Sequence, residues 1–302
     1  MKWISALAVA ACLAFATAAA ARPIVVASKS DTEGAVLGYM ILLALEHAGV
    51  PTRDRVQLGG TAVVRTALLA GEIDVYPEYT GNAASFFRRE GDAVWKDAGR
   101  AYAEARRLDY EANRVVWLAP SPADNSWGVA VRRDVAEPNR LRSFSDFGRW
   151  VSAGGRARLA ASAEFVHSPS ALPAFEATYG FRLRSDQIVS LAGGDTAATL
   201  SAAAKGVSGV NAAMVYGTDG GIPFSGLVLL EDDKRVQPVY QPAPTVRQAA
   251  LDAEPRIADA LLPVFSGLDL VTLQGLNGRV QVGGEPARTV AESYLRSKGY
   301  LR

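Results

Sequence analysis

Tyr76 and Tyr79, three apart in Tyr76-Pro77-Glu78-Tyr79, are the first side chains whose type and spacing suggest chemistry. Set beyond a strand end and beside a proline-stiffened turn, they offer a stacking surface; a packed hairpin with surface tyrosines is the alternative. Aromatic faces attract cations, and each desolvated ring contributes about 0.5–2 kcal/mol. Glu72, Asp74 and Glu78 cluster nearby, but carboxylates without a base or partner read as a solvated loop. His47, in the middle of an apolar helix, reads as structural, and His167 is the one other histidine. No His–Glu or Cys–His spacing points to a metal. Gly206-Val207-Ser208-Gly209 is not a nucleophile elbow, and Gly193-Gly194 lacks the Gly-Lys-Ser/Thr of a phosphate loop. The inventory supports neither catalysis nor a cofactor.

The elements that must position these residues alternate. Pro23–Ala27 is a continuous apolar run, as expected of a strand buried on both faces of a parallel sheet. Ser30 and Glu33 form a capping box before the apolar helix Val36–Ala48, which Gly49 and Pro51 end. Val63, Val64, Ala67, Leu68 and Leu69 share one side of a short helix closed by Gly71, and Ile73 and Val75 begin the next strand. Such alternation argues for parallel βαβ units. Residues 88–114, with charges of both signs at helical spacing, read as a solvated helix. Trp117–Ser126 is a loop before the apolar strand Trp127–Val131.

Ser143 or Ser145 caps a helix through Trp150, Arg158–Phe165 is a strand, and Ser168-Pro169-Ser170 opens a helix ending at Tyr179-Gly180. Strands follow at Ile188–Ala192, Asn211–Tyr216 and Leu227–Leu230, with a helix started by Gly193-Gly194-Asp195-Thr196 among them. Val236–Tyr240 crosses back, and Ile257–Phe265 and Val290–Leu295 are amphipathic helices.

At 302 residues the chain exceeds one typical domain, and 49% hydrophobic residues allow a sizeable core. Lys plus Arg number 32 and Asp plus Glu 31, with Lys2 the one charged residue before Arg22. Without residues 1–21 the chain is therefore neutral and carries no footprint for nucleic acid. Lys2, the apolar Trp3–Ala20 and the small residues before Arg22 read as a secretory signal peptide, residues 1–21, cleaved near Ala19–Ala21. A lipidated Cys12 is the minor alternative; otherwise the mature chain has no cysteine and no disulfide.

The stretch Gly59–Gly81, with its GGT, GEID and YPEYTG, resembles the signature of substrate-binding proteins of glycine betaine/choline (quaternary ammonium osmoprotectant) ABC importers. The likeness spans essentially the whole mature chain and is strongest over 24–82 and 211–248. It implies a type II periplasmic binding protein: two α/β lobes, a two-crossing hinge and a ligand cleft between them. The lobes would be residues 23–128 with 233–302, and 129–232, in a periplasmic monomer that closes around its ligand and serves an inner-membrane permease. Ser28, Lys29, Thr32 and Glu33 match an S-K-x-x-T-E pattern, which places Lys29 at the cleft unless it is a solvated lysine. Tyr79, Trp127, Tyr216 and Tyr240 match aromatic positions that would form a cage, Tyr216 preceding a turn that contains Thr218.

Two departures stand out. Asn82 replaces the threonine that commonly follows the signature, and no arginine occurs between Arg158 and Arg182, near where betaine binders supply one to the ligand carboxylate. His167 or Ser168 would stand there, unless Arg182, Arg184 or Lys29 reaches the carboxylate instead. With His167 in that place, betaine affinity should rise as pH falls from 8 to 6. The alternatives are a binding protein for a basic amino acid, ectoine or another polar metabolite, and an exported enzyme on the same fold.

Overall fold

The computed structural model describes residues 22–191 and 196–301. The leader reading of residues 1–21, Cys12 included, and the turn Gly193-Gly194-Asp195 lie outside them. The first lobe opens with β1 (Ile24–Lys29), α1 (Thr32–His47), β2 (Thr52–Gly59), α2 (Thr61–Leu69) and β3 (Val75–Tyr79). It continues through α3 (Asn82–Phe86), α4 (Ala98–Asn113) and β4 (Val115–Trp117). Residues 118–126 cross into β5 (Trp127–Arg132), α5 (Arg133–Ala136), α6 (Phe144–Ser152) and β6 (Leu159–Ser162). There follow α7 (Ala163–His167), α8 (Leu172–Tyr179), β7 (Ile188–Leu191), α9 (Thr196–Ala204), β8 (Ala212–Tyr216) and β9 (Leu227–Leu229). Residues 230–241 return to β10 (Pro242–Arg247), then α10 (Gln248–Ala253), α11 (Arg256–Ser266), α12 (Leu270–Gln281) and α13 (Ala287–Ser297).

Each lobe holds one five-stranded sheet, ordered β2-β1-β3-β10-β4 in the first and β7-β6-β8-β5-β9 in the second. β1 runs parallel to β2 and β3, and β6 parallel to β7 and β8. The strand that follows each crossing is inserted antiparallel, β5 beside β8 and β9, β10 beside β3 and β4. Every residue of β1 is buried, as its unbroken apolar run requires of a strand covered on both faces. α1 is apolar almost all round and forms the centre of a core with Leu261, Phe265, Leu273 and Leu295 from the last helices.

Local details depart from the sequence reading, each for a physical reason. Asp31, not Ser30, caps α1 by accepting from Gly34 N at 2.7 Å, and the Glu33 side chain turns inward instead of closing a capping box. His47 ends α1 on the exposed surface. Only Val64, Ala67 and Leu68 of the apolar α2 set are buried, while Val63 and Leu69 face out. Tyr76 and Tyr79 lie within β3, not beyond it, and the whole strand is buried. Pro77 is tolerated there because β3 pairs with β1 only at Val75, and opposite Pro77 in β10 stands Pro244.

Asp74 and Glu78 are likewise fully buried, not a solvated cluster. Asp74 accepts from Val25 N at 2.9 Å and pairs with Arg22 and Arg247. α4 is salt-bridged along its outer face as expected, but its Asp109 is buried under a two-bond clamp from Arg65, at 2.6 and 2.7 Å. The expected strand at Arg158–Phe165 stops at Ser162, whose hydroxyl accepts from Phe165 N and starts α7.

Candidate functional site

A cleft of about 820 Å³ opens between the lobes, lined from both and from both crossings. Three of its walls are aromatic for reasons of register. Trp127 opens β5 and Tyr216 closes β8; the two are antiparallel partners, so their rings lie together, 6.2 Å apart and 23° from parallel. Phe165 of α7 props Trp127 edge-on at 5.9 Å. Tyr79 enters from the end of β3 and donates its hydroxyl to Glu33 Oε1 at 2.7 Å. Tyr240, on the second crossing, lies against Gly81, where a Cβ would come within 2.7 Å of its ring. Only glycine lets the chain pass that ring so closely. The Tyr240 N–H donates to Asp124 Oδ1 at 2.8 Å, tying the two crossings together.

The floor is a buried carboxylate network. Glu78 accepts from Lys29 Nζ at 2.6 Å, from the Tyr76 hydroxyl at 2.8 Å, from Tyr79 N at 2.7 Å and from Asn82 Nδ2 at 2.8 Å. Lys29 also lies 4.5 Å from the centre of the Tyr79 ring, so it is no solvated lysine. Glu33 accepts from Tyr79, from Asn277 Nδ2 at 2.6 Å and from Asn125 Nδ2 at 3.4 Å. Burial pushes its carboxyl up to about 7 against hydrogen bonds from Thr218, Tyr79 and Asn277, with Asp31 adding repulsion. Burial likewise raises the Tyr216 hydroxyl and pushes that of Tyr240 up to about 12, so both phenols stay neutral at ordinary pH.

The cleft is acidic. Asp31, Glu33, Glu164 and Asp219 line it, against one cation among the described lining residues, Lys29, which Glu78 already neutralises. No arginine or histidine is among the described residues that line it. Four side-chain polar atoms among the described residues are buried without a protein partner, and three belong to this cleft. They are Asn125 Oδ1, Asn277 Oδ1 and Trp127 Nε1, the last beside the Tyr216 hydroxyl but outside hydrogen-bond geometry. Buried polar atoms are normally paired, and three of these four are gathered at one cleft.

Of the eight residues expected at the site, Lys29, Tyr79, Asn82, Trp127, Tyr216, Thr218 and Tyr240 come together at this cleft. His167 does not. It ends α7 on the exposed side, outside the lining, because the short helix after Ser162 turns Glu164 toward the cleft in its place. The rise in betaine affinity at low pH expected from His167 loses its basis. Nor do Arg182 and Arg184 line the cleft; Arg184 pairs with Asp186 instead. Glu33, Asn125, Glu164, Asp219 and Asn277 were not anticipated. The signal for Glu33 was its place in the S-K-x-x-T-E pattern, which asks more of it than capping.

Two α/β lobes, two crossings and one polar, aromatic-walled cleft define a type II solute-binding protein. Residues 22–297 match the family model described as the substrate binding domain of ABC-type glycine betaine transport systems. The glycine betaine-binding protein YehZ of Escherichia coli (strain K12) is 54% identical over 283 residues, 94% of this chain and 93% of that one. The structure of apo YehZ from Escherichia coli superposes with a TM-score of 0.84 at 55% identity, covering 92% of this chain and 99% of that chain. A glycine betaine/carnitine/choline ABC transporter structure shares the fold, with a TM-score of 0.80 at 19% identity over 92% of this chain and 99% of that chain. This chain belongs to the family of substrate-binding proteins of ABC-type glycine betaine importers. It is a transport component that works outside the cytoplasm, and not an enzyme.

Proposed function

We propose that this protein, exported by a cleaved signal peptide, captures a quaternary ammonium osmoprotectant, glycine betaine first, and presents it as a monomer to its membrane permease. The observation that carries the reading is the convergence of Tyr79, Trp127, Tyr216 and Tyr240 on one acidic cleft. A methylated ammonium gains from ring faces what it cannot gain from hydrogen bonds, whereas a primary ammonium prefers carboxylates and carbonyls. The lobes, residues 23–128 with 233–302 and 129–232, would close over the ligand by bending at the two crossings.

Calorimetry with glycine betaine, choline, carnitine, ectoine, lysine and arginine tests this. Methylated ammonium compounds should bind, and Tyr79→Ala and Tyr216→Ala should each weaken them about tenfold or more. Selective binding of lysine or arginine, with betaine inert, would replace this reading with the basic amino acid alternative.

The lining also sets a ceiling on betaine. A guanidinium on a carboxylate contributes about 1.5–3 kcal/mol through charge-assisted hydrogen bonds. Here Glu164 stands on that side and Lys29 is shared with Glu78. Betaine should therefore bind about ten- to a hundredfold more weakly than in an arginine-equipped relative. Glu164→Arg should recover part of the difference for betaine and weaken choline, which has no carboxylate. A variant that treats the two ligands alike would show that the carboxylate end lies elsewhere.

A further inference from the structure

One edge of the cleft is joined by bonds that need no ligand. α12 is anchored in the first lobe through Leu273 and Leu276, which share the core built around α1. Its other side meets the turn after β8, in the second lobe. Gln274 Nε2 donates to the Gly217 carbonyl at 2.8 Å, Asn277 Nδ2 to the Thr218 carbonyl at 2.9 Å, and Gly220 N donates to Gln281 Oε1 at 3.0 Å. Residues 274, 277 and 281 recur at three and four positions, so they form one stripe along the helix.

The two backbones touch beneath that stripe. A Cβ on Gly220 would lie 2.0 Å from Gly278 N, and a Cβ on Gly278 would lie 2.9 Å from the Gly220 carbonyl oxygen and 2.8 Å from the Phe224 ring. Glycine on both sides is what allows this approach. The turn held here carries Tyr216 and Thr218, while Asn277 also donates to Glu33, which in turn receives the Tyr79 hydroxyl. One helix face thus fixes cage residues of both lobes relative to each other.

We propose that α12 is an interlobe latch, and that Gln274 and Gly278 are positioning residues that set Tyr216 and Thr218 against Tyr79 before any ligand arrives. Part of the free energy of closure is then supplied by protein contacts, so a ligand with few hydrogen-bonding groups need not provide all of it. Where it concerns affinity, the proposal rests on the cage reading above; where it concerns shape, it does not.

Gly278→Ala and Gln274→Ala test it, since neither residue lines the cleft. Alanine is a better helix former than glycine, so Gly278→Ala leaves α12 intact while its methyl pushes the turn away. Small-angle scattering on the ligand-free protein should show a larger radius of gyration for Gly278→Ala, with a cooperative unfolding transition retained and a melting temperature no higher than the parent's. Glycine betaine titrated by calorimetry should bind Gly278→Ala at least tenfold more weakly, and Gln274→Ala several-fold more weakly. A Gly278→Ala protein as compact as the parent without ligand overturns the latch, and so does one that binds betaine as the parent does. If the parent itself binds no methylated ammonium compound, the cage reading fails and the scattering comparison alone decides the latch.

Discussion

Glu78→Ala is expected to lower folding stability by about 3–5 kcal/mol, the usual consequence of removing one partner from a buried ion pair. Lys29 and Glu78 are both buried, and Glu78 collects four donors at once. With the carboxylate gone, Lys29 retains only the face of Tyr79, and Tyr76, Tyr79 N and Asn82 lose an acceptor together. Ligand binding should disappear with it, because Lys29, Tyr79 and Asn82 are all held by this one side chain. Urea unfolding at neutral pH measures the loss. Replacing the pair together, Lys29→Met with Glu78→Leu, should recover the part of the loss that comes from the stranded charge, but not the part from Tyr76, Tyr79 N and Asn82, which still lack their acceptor, and it should not restore binding. An alanine variant within about 1 kcal/mol of the parent would mean that Lys29 escapes to water, and that the floor of the cleft is softer than its hydrogen bonds imply.

The second large effect is a dependence on pH that comes from Glu33. Its carboxyl is raised from 4.5 to about 7 in the folded protein, chiefly by burial. Between those values the unfolded chain has lost the proton while the folded one keeps it, so stability falls as pH rises through this window. Below about 4.5 both states are protonated, and above about 7 both are ionised, so the change is confined between them. A shift of that size corresponds to roughly 3 kcal/mol. Unfolding at pH 5 and pH 8 should therefore show the parent losing about that much more than Glu33→Gln, whose amide does not titrate over this range. Equal losses in the two proteins would place Glu33 in ordinary ionisation. A cation seated in the cage favours the charged carboxylate, so binding of choline near pH 7 should release protons, detectable by calorimetry in two buffers of different ionisation enthalpy.

What the sequence revealed and what it hid divide along physical lines. β1 and α1 were legible because continuous apolar runs bounded by caps and glycines have few other solutions. The aromatic positions came from the resemblance to the family's pattern, and the structure sets each where a strand or a crossing ends, with Trp127 facing Tyr216 through sheet register. Burial of charge was not legible. Asp74, Glu78 and Asp109 look like surface residues until Arg247, Lys29 and Arg65 are brought to them across 44 to 173 positions of chain. α12 was missed because Gly275 and Gly278 interrupt its pattern, yet Gly278 is there for the contact with Gly220. His167 was misplaced by a five-residue helix, α7, where the spacing suggested a continuing strand.

The inserted strands also say something about how this chain must assemble. β3 and β4 are not neighbours; the place between them is filled by β10, some 125 residues after β4 begins. The first lobe cannot complete its sheet until residue 247 is available, by which time the whole second lobe has already been made. Pairings this distant in sequence form slowly. A chain bound for the outside of the cytoplasm gains from that delay, since its first lobe stays incomplete until residue 247 has been made. The same delay carries a hazard: a product truncated before Pro242 would leave β3 with an open edge and β4 without a partner, an invitation to pair with another copy.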